Sequence, residues 1–158
     1  MKTRTAQWFE CKVKYEKMDA DGLKKSVTEQ YVVDALSFAE AEERLFEEIQ
    51  HLYNGGDLEV TDVKKAAYKD VLFDEGDNCS DRWYKAKLDF ITIDERTEKE
   101  KRSRVTYLVN AESLKGAIRN VESVMSGTMI DYDAASIAET KIMEVFLHED
   151  QSVGKENA

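Results

Sequence analysis

The fold of this chain is decided by the stretch WFECKVKY at residues 8–15, which returns in altered form as WYKAKLDF at residues 83–90. Apolar and polar side chains alternate along the first stretch, with Phe9, Cys11 and Val13 at every second position. A period of two is typical of a β-strand with one buried face and one face toward solvent. The sequence therefore predicts a strand that recurs about 75 residues later, as expected of a duplicated half.

Two further blocks repeat in the same order. YVVDA at residues 31–35 matches YLVNA at residues 107–111, and the apolar positions of residues 63–72 match those of residues 137–146. Three matching blocks in one order indicate an internal duplication, which is longer than the repeat unit of a solenoid.

A helix is predicted after the second strand of each half. Ser37 with Glu40 three residues later forms a capping box, which is typical of the first turn of a helix. The apolar stripe recurs at helical spacing in both halves: Phe38, Ala41, Leu45 and Ile49, then Leu114, Ala117, Val121 and Met125. Each half is therefore predicted to run strand, strand, helix, strand.

The predicted fold class is α+β, an internal duplication of two ββαβ units packed as a pseudo-twofold single domain with antiparallel sheet. The first unit is assigned to residues 1–75 and the second to residues 76–148. A tail at residues 149–158 has little to bury and is expected to be disordered. The expected strands lie near residues 7–16, 24–34, 82–93, 102–110 and 133–147, with one strand or a pair of short strands across residues 58–73. Three strands and one helix bury too little for independent stability, so the units are expected to intertwine in one domain.

Composition excludes several classes of protein. The 158 residues include no proline and 42% hydrophobic residues, which argues against collagen-like, Pro-rich and wholly disordered chains. The N-terminus has no apolar segment of a signal peptide, and no window is apolar enough for a membrane span, so no membrane association is expected. Cys11 and Cys79 form neither a CxxC pair nor a disulfide framework, which favours a cytoplasmic location.

Motifs of catalysis are missing from the sequence. It contains no phosphate-binding loop, no GxSxG and no HExxH, and no pattern of acids or nucleophiles marks His51 or His148 as a catalytic partner. We therefore assign no catalytic residue, metal ligand or cofactor, and expect the protein not to be an enzyme. The alternative of a metal-dependent hydrolase rests on Asp19 with Asp21, on the acidic run 74–77, and on ExK spacings such as residues 10–12.

Charge is distributed unevenly along the chain, whose formal net charge is −10. Residues 2–31 carry seven Lys and Arg against five Asp and Glu, and residues 82–107 carry eight against five. The acidic excess lies elsewhere, above all at residues 34–54, where six acidic residues accompany a single arginine. The total thus hides two weakly basic hairpins and an acidic helix.

The two basic hairpins also carry both tryptophans, on the same strand faces as their lysines. Such a face is typical of proteins that stack single-stranded bases and follow their phosphates. The candidate nucleic-acid-binding residues are Trp8, Lys12, Lys14, Trp83, Lys85, Lys87, Lys101, Arg102 and Arg104. The alternative is a solvated amphipathic strand, which the net negative charge favours because it repels a polyanion. On the acidic helix, Glu43 and Glu47 are the candidate residues for docking a basic protein partner.

Four segments resemble an uncharacterised family of small proteins from Bacteroidota, their phages and mobile elements. They are residues 8–17, 27–38, 81–85 and 137–146. The resemblance implies a bacterial or phage protein, often encoded beside replication and recombination genes. We therefore expect a non-enzymatic accessory protein of phage or mobile-element DNA metabolism that binds single-stranded nucleic acid. The alternative is a protein-interaction module, a homodimer or an anti-defence factor, acting through the acidic helix or a sheet edge.

Overall fold

The computed structural model describes residues 7–50, 58–74 and 80–147. The elements of the first half are β1 (Gln7–Met18), β2 (Lys24–Ala35), α1 (Phe38–Ile49), β3 (Glu59–Ala66) and β4 (Tyr68–Leu72). Those of the second half are β5 (Trp83–Ile93), β6 (Glu100–Asn110), α2 (Leu114–Ser126), β7 (Asp131–Glu139) and β8 (Ile142–Phe146). The predicted α+β class with two repeated strand–strand–helix–strand units is confirmed.

The strands form two four-stranded sheets, each of which belongs to its own compact unit. Unit 1 comprises residues 1–66 and 142–158, with strand order β3-β1-β2-β8, and unit 2 comprises residues 67–141, with strand order β4-β6-β5-β7. In each sheet three strands are antiparallel, as predicted, while the fourth pairs in parallel: β8 with β2, and β4 with β6. The fourth strand of each sheet thus comes from the other half of the sequence.

Each unit buries its helix against one face of its sheet. The core of unit 1 consists of Phe9, Cys11, Val13, Tyr31, Val33, Ala35, Ala41, Leu45 and Ile49. The core of unit 2 consists of Tyr84, Ala86, Leu88, Tyr107, Val109, Ala111, Ala117, Val121 and Met125. Every residue of the first core has its counterpart in the second at a shift of 75 or 76 positions, so the duplication extends to the packing.

Both helices begin with the same cap. The Ser37 Oγ accepts a hydrogen bond from the Glu40 backbone N–H at 3.1 Å, and the Ser113 Oγ accepts one from the Gly116 N–H at 3.1 Å. The Glu40 carboxylate also accepts from the backbone N–H of Leu36, the residue before the cap, at 3.3 Å. These bonds satisfy backbone donors that a helix N-terminus leaves unpaired.

One predicted strand is divided in the structure. The expected strand at 133–147 separates into β7 and β8 at Thr140, whose backbone N–H and Oγ1 both donate to the Trp83 carbonyl at 2.8 Å. Across residues 58–73, where one strand or a pair of short strands was expected, the structure has the pair β3 and β4, separated at Ala67. At both points the chain leaves one sheet and enters the other.

Several sequence expectations lie outside the described residues. They concern both histidines, Cys79, the boundary between halves at residue 75 and the tail at residues 149–158.

Candidate interaction surfaces

The face of β1 that points away from α1 carries Lys12 and Lys14, both exposed as the alternation predicts. In the register with β3, Lys12 lies directly opposite Asp62 and Lys14 directly opposite Glu59. Opposite charges on directly paired residues attract each other across a sheet. The two lysines of the first hairpin therefore belong to a charge-balanced face, and the spacing along β1 alone could not reveal the carboxylates on β3.

Trp8 lies on the same face and is half-buried. Its partners in register are Asp34 on β2 and Ala66 on β3. Two residues further along β1, the Glu10 carboxylate lies 3.6 Å from the Lys64 Nζ. Trp8 is therefore followed along its face by paired charges, not by a run of lysines.

The corresponding face of β5 carries Lys85, which is half-buried, and Lys87, which is exposed. Their partners in register are Leu108 and Ala138 for Lys85, and Thr106 and Ser136 for Lys87. The Lys85 Nζ lies 5.8 Å from the centroid of the Tyr68 ring, within cation–π range. Unlike Lys12 and Lys14, these two lysines have no carboxylate directly opposite them on either neighbouring strand.

Trp83 begins β5 and is only 4% exposed. The Phe73 ring meets the indole edge-on, with a centroid separation of 5.3 Å and an interplanar angle of 88°. Because the indole is buried, a base could stack on it only after its present neighbours had moved. The sequence pattern placed Trp83 on the face of Lys85 and Lys87 but could not show this burial.

Two arginines near the tip of the second hairpin are engaged in ion pairs. The Arg104 Nε and Nη2 donate to the two Asp89 carboxylate oxygens at 2.8 and 3.2 Å, and this hydrogen bonding holds the pKa of Asp89 below its ordinary value. The Arg102 Nη1 lies 3.0 Å from the Asp133 Oδ2, and the Arg102 Nε lies 3.4 Å from the Glu100 Oε2. The positive charges of Arg102 and Arg104 are therefore locally balanced by carboxylates.

The third basic residue there, Lys101, is exposed and pairs with Thr92, so it belongs to the other face of the sheet. Of the candidate nucleic-acid-binding residues of the second hairpin, the register therefore places all but Lys101 on one face of the sheet. On that face Trp83 is buried, Arg102 and Arg104 are ion-paired, and Lys87 is exposed between Thr106 and Ser136.

A groove of about 720 Å³ runs between α1 and β3 of unit 1. Its lining residues are Ala39, Glu42, Glu43, Phe46, Glu47, Leu58, Glu59 and Val60. Four of these are glutamates and four are apolar, and among the described lining residues there is no Lys or Arg. The groove thus combines an apolar lining with a strongly acidic rim, which suits a partner that is both cationic and apolar.

The position of this groove follows from the helical period of α1. Because Ala41, Leu45 and Ile49 are buried in the core, the side chains one and two positions later point outward. The candidates Glu43 and Glu47 are both exposed on that outward side, and Phe46 beside them is 40% exposed. Sequence reasoning missed Phe46, although its position off the buried stripe was a signal for it.

The equivalent surface of α2 has the opposite character. At a shift of 76 positions Ala39, Glu42, Glu43, Phe46 and Glu47 are replaced by Lys115, Ile118, Arg119, Glu122 and Ser123. Lys115, Ile118 and Arg119 line a shallow hollow together with Ser113. The Arg119 Nη2 lies 3.9 Å from a Glu112 oxygen, and both side chains are more than half exposed, so this contact neutralises little of the arginine's field. The outer face of α2 is therefore cationic around an exposed isoleucine.

The remaining sequence candidates have structural roles where the structure describes them. The Asp19 carboxylate accepts from the backbone N–H groups of Asp21 and Leu23 at 2.9 Å each, which closes the β1–β2 turn. Cys11 is fully buried, and burial raises the pKa of its thiol to about 12, so it is not a thiolate nucleophile at neutral pH. Within residues 7–50, 58–74 and 80–147 no three His, Cys, Asp or Glu side chains are grouped to hold a metal ion.

None of the helices in the described part of the chain is long and apolar enough to span a membrane. A family model described as Domain of unknown function (DUF4494) matches residues 7–148. No curated protein and no solved structure matches the chain.

Proposed function

Because the chain belongs to the DUF4494 family, whose description assigns no activity, we propose a function from its own surfaces. The protein is a non-enzymatic interaction module of the cytoplasm, and its groove between α1 and β3 holds a basic, partly apolar surface of a protein partner. The observation that carries this proposal is the lining of the groove, in which Glu42, Glu43 and Glu47 lie among apolar side chains.

Such a lining matches the energetics of protein recognition. Phe46 is 40% exposed and can bury its remaining surface against an apolar side chain of the partner. The surrounding carboxylates would then attract Lys and Arg, which raises the association rate and rejects acidic partners. The described lining residues include no Lys or Arg, and of the four glutamates only Glu59 lies directly opposite a lysine, Lys14.

The test is the fluorescence anisotropy of a labelled amphipathic peptide composed of Leu and Lys, titrated with the protein at low salt. We expect the Glu43→Lys/Glu47→Lys variant to bind about ten-fold more weakly, since two attractive charges become repulsive. Phe46→Ala should also weaken binding. The loss caused by Phe46→Ala should depend less on salt concentration than the loss caused by Glu43→Lys/Glu47→Lys, because Phe46 contributes apolar contact and not charge. The matched control is Glu16→Lys/Glu95→Lys, which makes the same change in net charge at two exposed sites outside the groove. Equal losses in both double variants would overturn the proposal, because binding would then depend on total charge alone.

A second candidate function is the binding of single-stranded nucleic acid through the outer face of β5. The observation in its favour is that Lys87 is exposed and has Thr106 and Ser136 directly opposite it on β6 and β7. Phosphates attract a lysine between neutral residues more strongly than a lysine paired with an acid. This candidate corresponds to an accessory role in the DNA metabolism of phages and mobile elements of Bacteroidota.

A labelled oligonucleotide distinguishes this second candidate from a general attraction to lysine. We expect Lys87→Glu to weaken binding several-fold and Lys14→Glu, at the charge-balanced face of β1, to have less effect. Trp8→Ala tests whether a half-buried indole contributes stacking. No binding at micromolar protein in low salt, or equal effects of both lysine variants, would exclude this function.

A further inference from the structure

We propose that the occupant of the α1–β3 groove is the outer face of α2 from a second copy of this chain. This inference rests on the proposed function of the groove and names its partner. It follows from the comparison of two surfaces that occupy equivalent places in the duplicated fold and carry opposite charge.

The outer face of α2 has the chemistry that the groove requires. Lys115, Ile118 and Arg119 are spaced at i, i+3 and i+4, so they lie on one side of the helix. Ile118, which lines the same hollow as Lys115 and Arg119, is 37% exposed and provides apolar surface beside the two cations. Apolar side chains flanked by Lys and Arg complement an apolar groove rimmed by carboxylates.

The charged residues of both complementary surfaces, Glu43, Glu47, Lys115 and Arg119, are all exposed. A second copy always supplies the missing surface, because each copy carries both.

Charge also decides which surfaces meet. Two α1 grooves would place glutamates against glutamates, and two α2 faces would place Lys115 and Arg119 against their own copies, so contacts between like surfaces are disfavoured. The α1 groove of one copy is therefore expected to meet α2 of another copy, and not a second α1 groove.

The experiment is sedimentation velocity from about 1 to 200 μM protein at low and high salt. We expect the average mass to rise with concentration at low salt and to fall toward the monomer at high salt. Glu43→Lys/Glu47→Lys and Lys115→Glu/Arg119→Glu should each remain monomeric, since each creates like charges at the interface. An equimolar mixture of the two variants should associate again, because the basic groove of one then faces the acidic α2 of the other.

Net charge separates this mechanism from general repulsion between copies. Glu43→Lys/Glu47→Lys changes the net charge from −10 to about −6, so general repulsion alone predicts stronger self-association of this variant. The proposed interface predicts weaker self-association. The control Glu16→Lys/Glu95→Lys makes the same change in net charge and should keep the self-association of the unmodified protein. Circular dichroism establishes that each variant is folded.

The outcomes separate the two proposals. A protein that is monomeric at every concentration, or a mixture of variants that does not associate, overturns self-association through α2. If that protein still binds the Leu/Lys peptide in a manner that depends on Glu43 and Glu47, the proposed function of the groove stands and its occupant is another protein. If neither the peptide nor a second copy binds, both proposals fail.

Discussion

Units 1 and 2 share a fold and differ in their surfaces. Inside, the correspondence is close: the same cap begins each helix, and the register with the edge strand shifts at Lys12/Val13 in β1 and at Lys87/Leu88 in β5. Outside, α1 carries five glutamates and one arginine, whereas α2 carries Lys115 and Arg119 against a single glutamate. The difference teaches that packing constrained the duplicated positions inside, while the exposed positions were free to take opposite charges.

The units also differ in one set of hydrogen bonds between the helix and the strands. In unit 1 the Arg44 guanidinium donates to the Asp34 carbonyl at 2.9 Å and to the Leu147 carbonyl at 2.8 Å, just beyond the end of β8. In unit 2 the equivalent residue is Asn120, whose Nδ2 donates to the Asn110 carbonyl at 2.9 Å. Arg44 on α1 thus forms hydrogen bonds with β2 and with the residue that follows β8, a strand from the other half of the sequence. The shorter Asn120 on α2 forms a hydrogen bond with β6.

The largest expected effect on stability concerns β8, the strand from the second half of the sequence that pairs in the sheet of unit 1. A chain that ends at Lys141 loses buried Ile142 and Val145 and the stacking of Phe146 on Tyr31 at 5.6 Å. Burying each such side chain contributes about 1.5–3 kcal/mol, so their loss is comparable to the roughly 5–15 kcal/mol that stabilises a whole domain. Urea titration monitored by circular dichroism should show unit 1 unfolded or nearly so.

A chain that ends at Leu147 is the control for this truncation, because it keeps β8 and should retain the original urea midpoint. If the chain ending at Lys141 kept the midpoint as well, the exchanged strand would not be part of the stabilising core of unit 1.

The two cores offer the next comparison, through Leu45 on α1 and Val121 on α2. Leu45 is completely buried and Val121 is 2% exposed. Leu45→Ala should lower the free energy of unfolding by about 2–5 kcal/mol, because it removes buried carbons and leaves a cavity. Val121→Ala removes fewer carbons and should cost roughly 2 kcal/mol. Urea unfolding of both variants checks the order, and a larger loss at Val121 would mean that the two cores are not packed alike.

Sequence periodicity was sufficient for the repeated elements but not for their pairing. The alternation through Phe9, Cys11 and Val13 predicted the buried face of β1, and the stripe through Leu45 predicted the buried face of α1. The exchange of β4 and β8 was missed, because an apolar strand buries its side chains equally well against either sheet. Pairing of this kind depends on contacts distant in sequence, which local patterns do not encode.

The candidate surfaces were predicted less completely for the same reason. Alternation placed Lys12 and Lys14 on one exposed face, but the acidic residues opposite them in register, Asp62 and Glu59, lie on a strand about 50 residues away. Glu43 and Glu47 were found because both belong to one helix, where spacing alone determines which side chains are neighbours. The cationic face of α2 was not singled out, since its few charges are prominent only beside the acidic face of α1.

A smaller effect on the free energy of unfolding is expected at Arg44 and Asn120, the helix residues that form hydrogen bonds with β2 and β6. Arg44→Ala removes two charged hydrogen bonds to carbonyls and should lower the free energy of unfolding by about 1–3 kcal/mol. Asn120→Ala removes one neutral bond and should cost about 1 kcal/mol. Arg44→Gln is informative as a third variant, because an amide there can imitate Asn120 and should recover part of the loss. Equal losses for Arg44→Ala and Asn120→Ala in thermal or urea unfolding would refute a special role of arginine.

The smallest effect concerns Glu144 on β8, which occupies the place that Asp70 occupies on β4. Burial, and next the charge of Glu48, raise the pKa of Glu144 above its ordinary value, so the folded state holds this proton more tightly than the unfolded state does. The resulting stability is present below pH about 4.5 and is lost as the pH rises through the raised pKa, which makes ionised Glu144 unfavourable at neutral pH. Glu144→Gln should therefore raise Tm slightly at pH 7 and leave it unchanged near pH 4. Asp70→Asn should give no such gain, because the Asp70 carboxylate accepts a hydrogen bond from the Val71 N–H at 2.8 Å and the amide oxygen is a weaker acceptor. If the difference in Tm between Glu144→Gln and the unmodified protein were the same at pH 4 and pH 7, Glu144 would carry no such unfavourable charge.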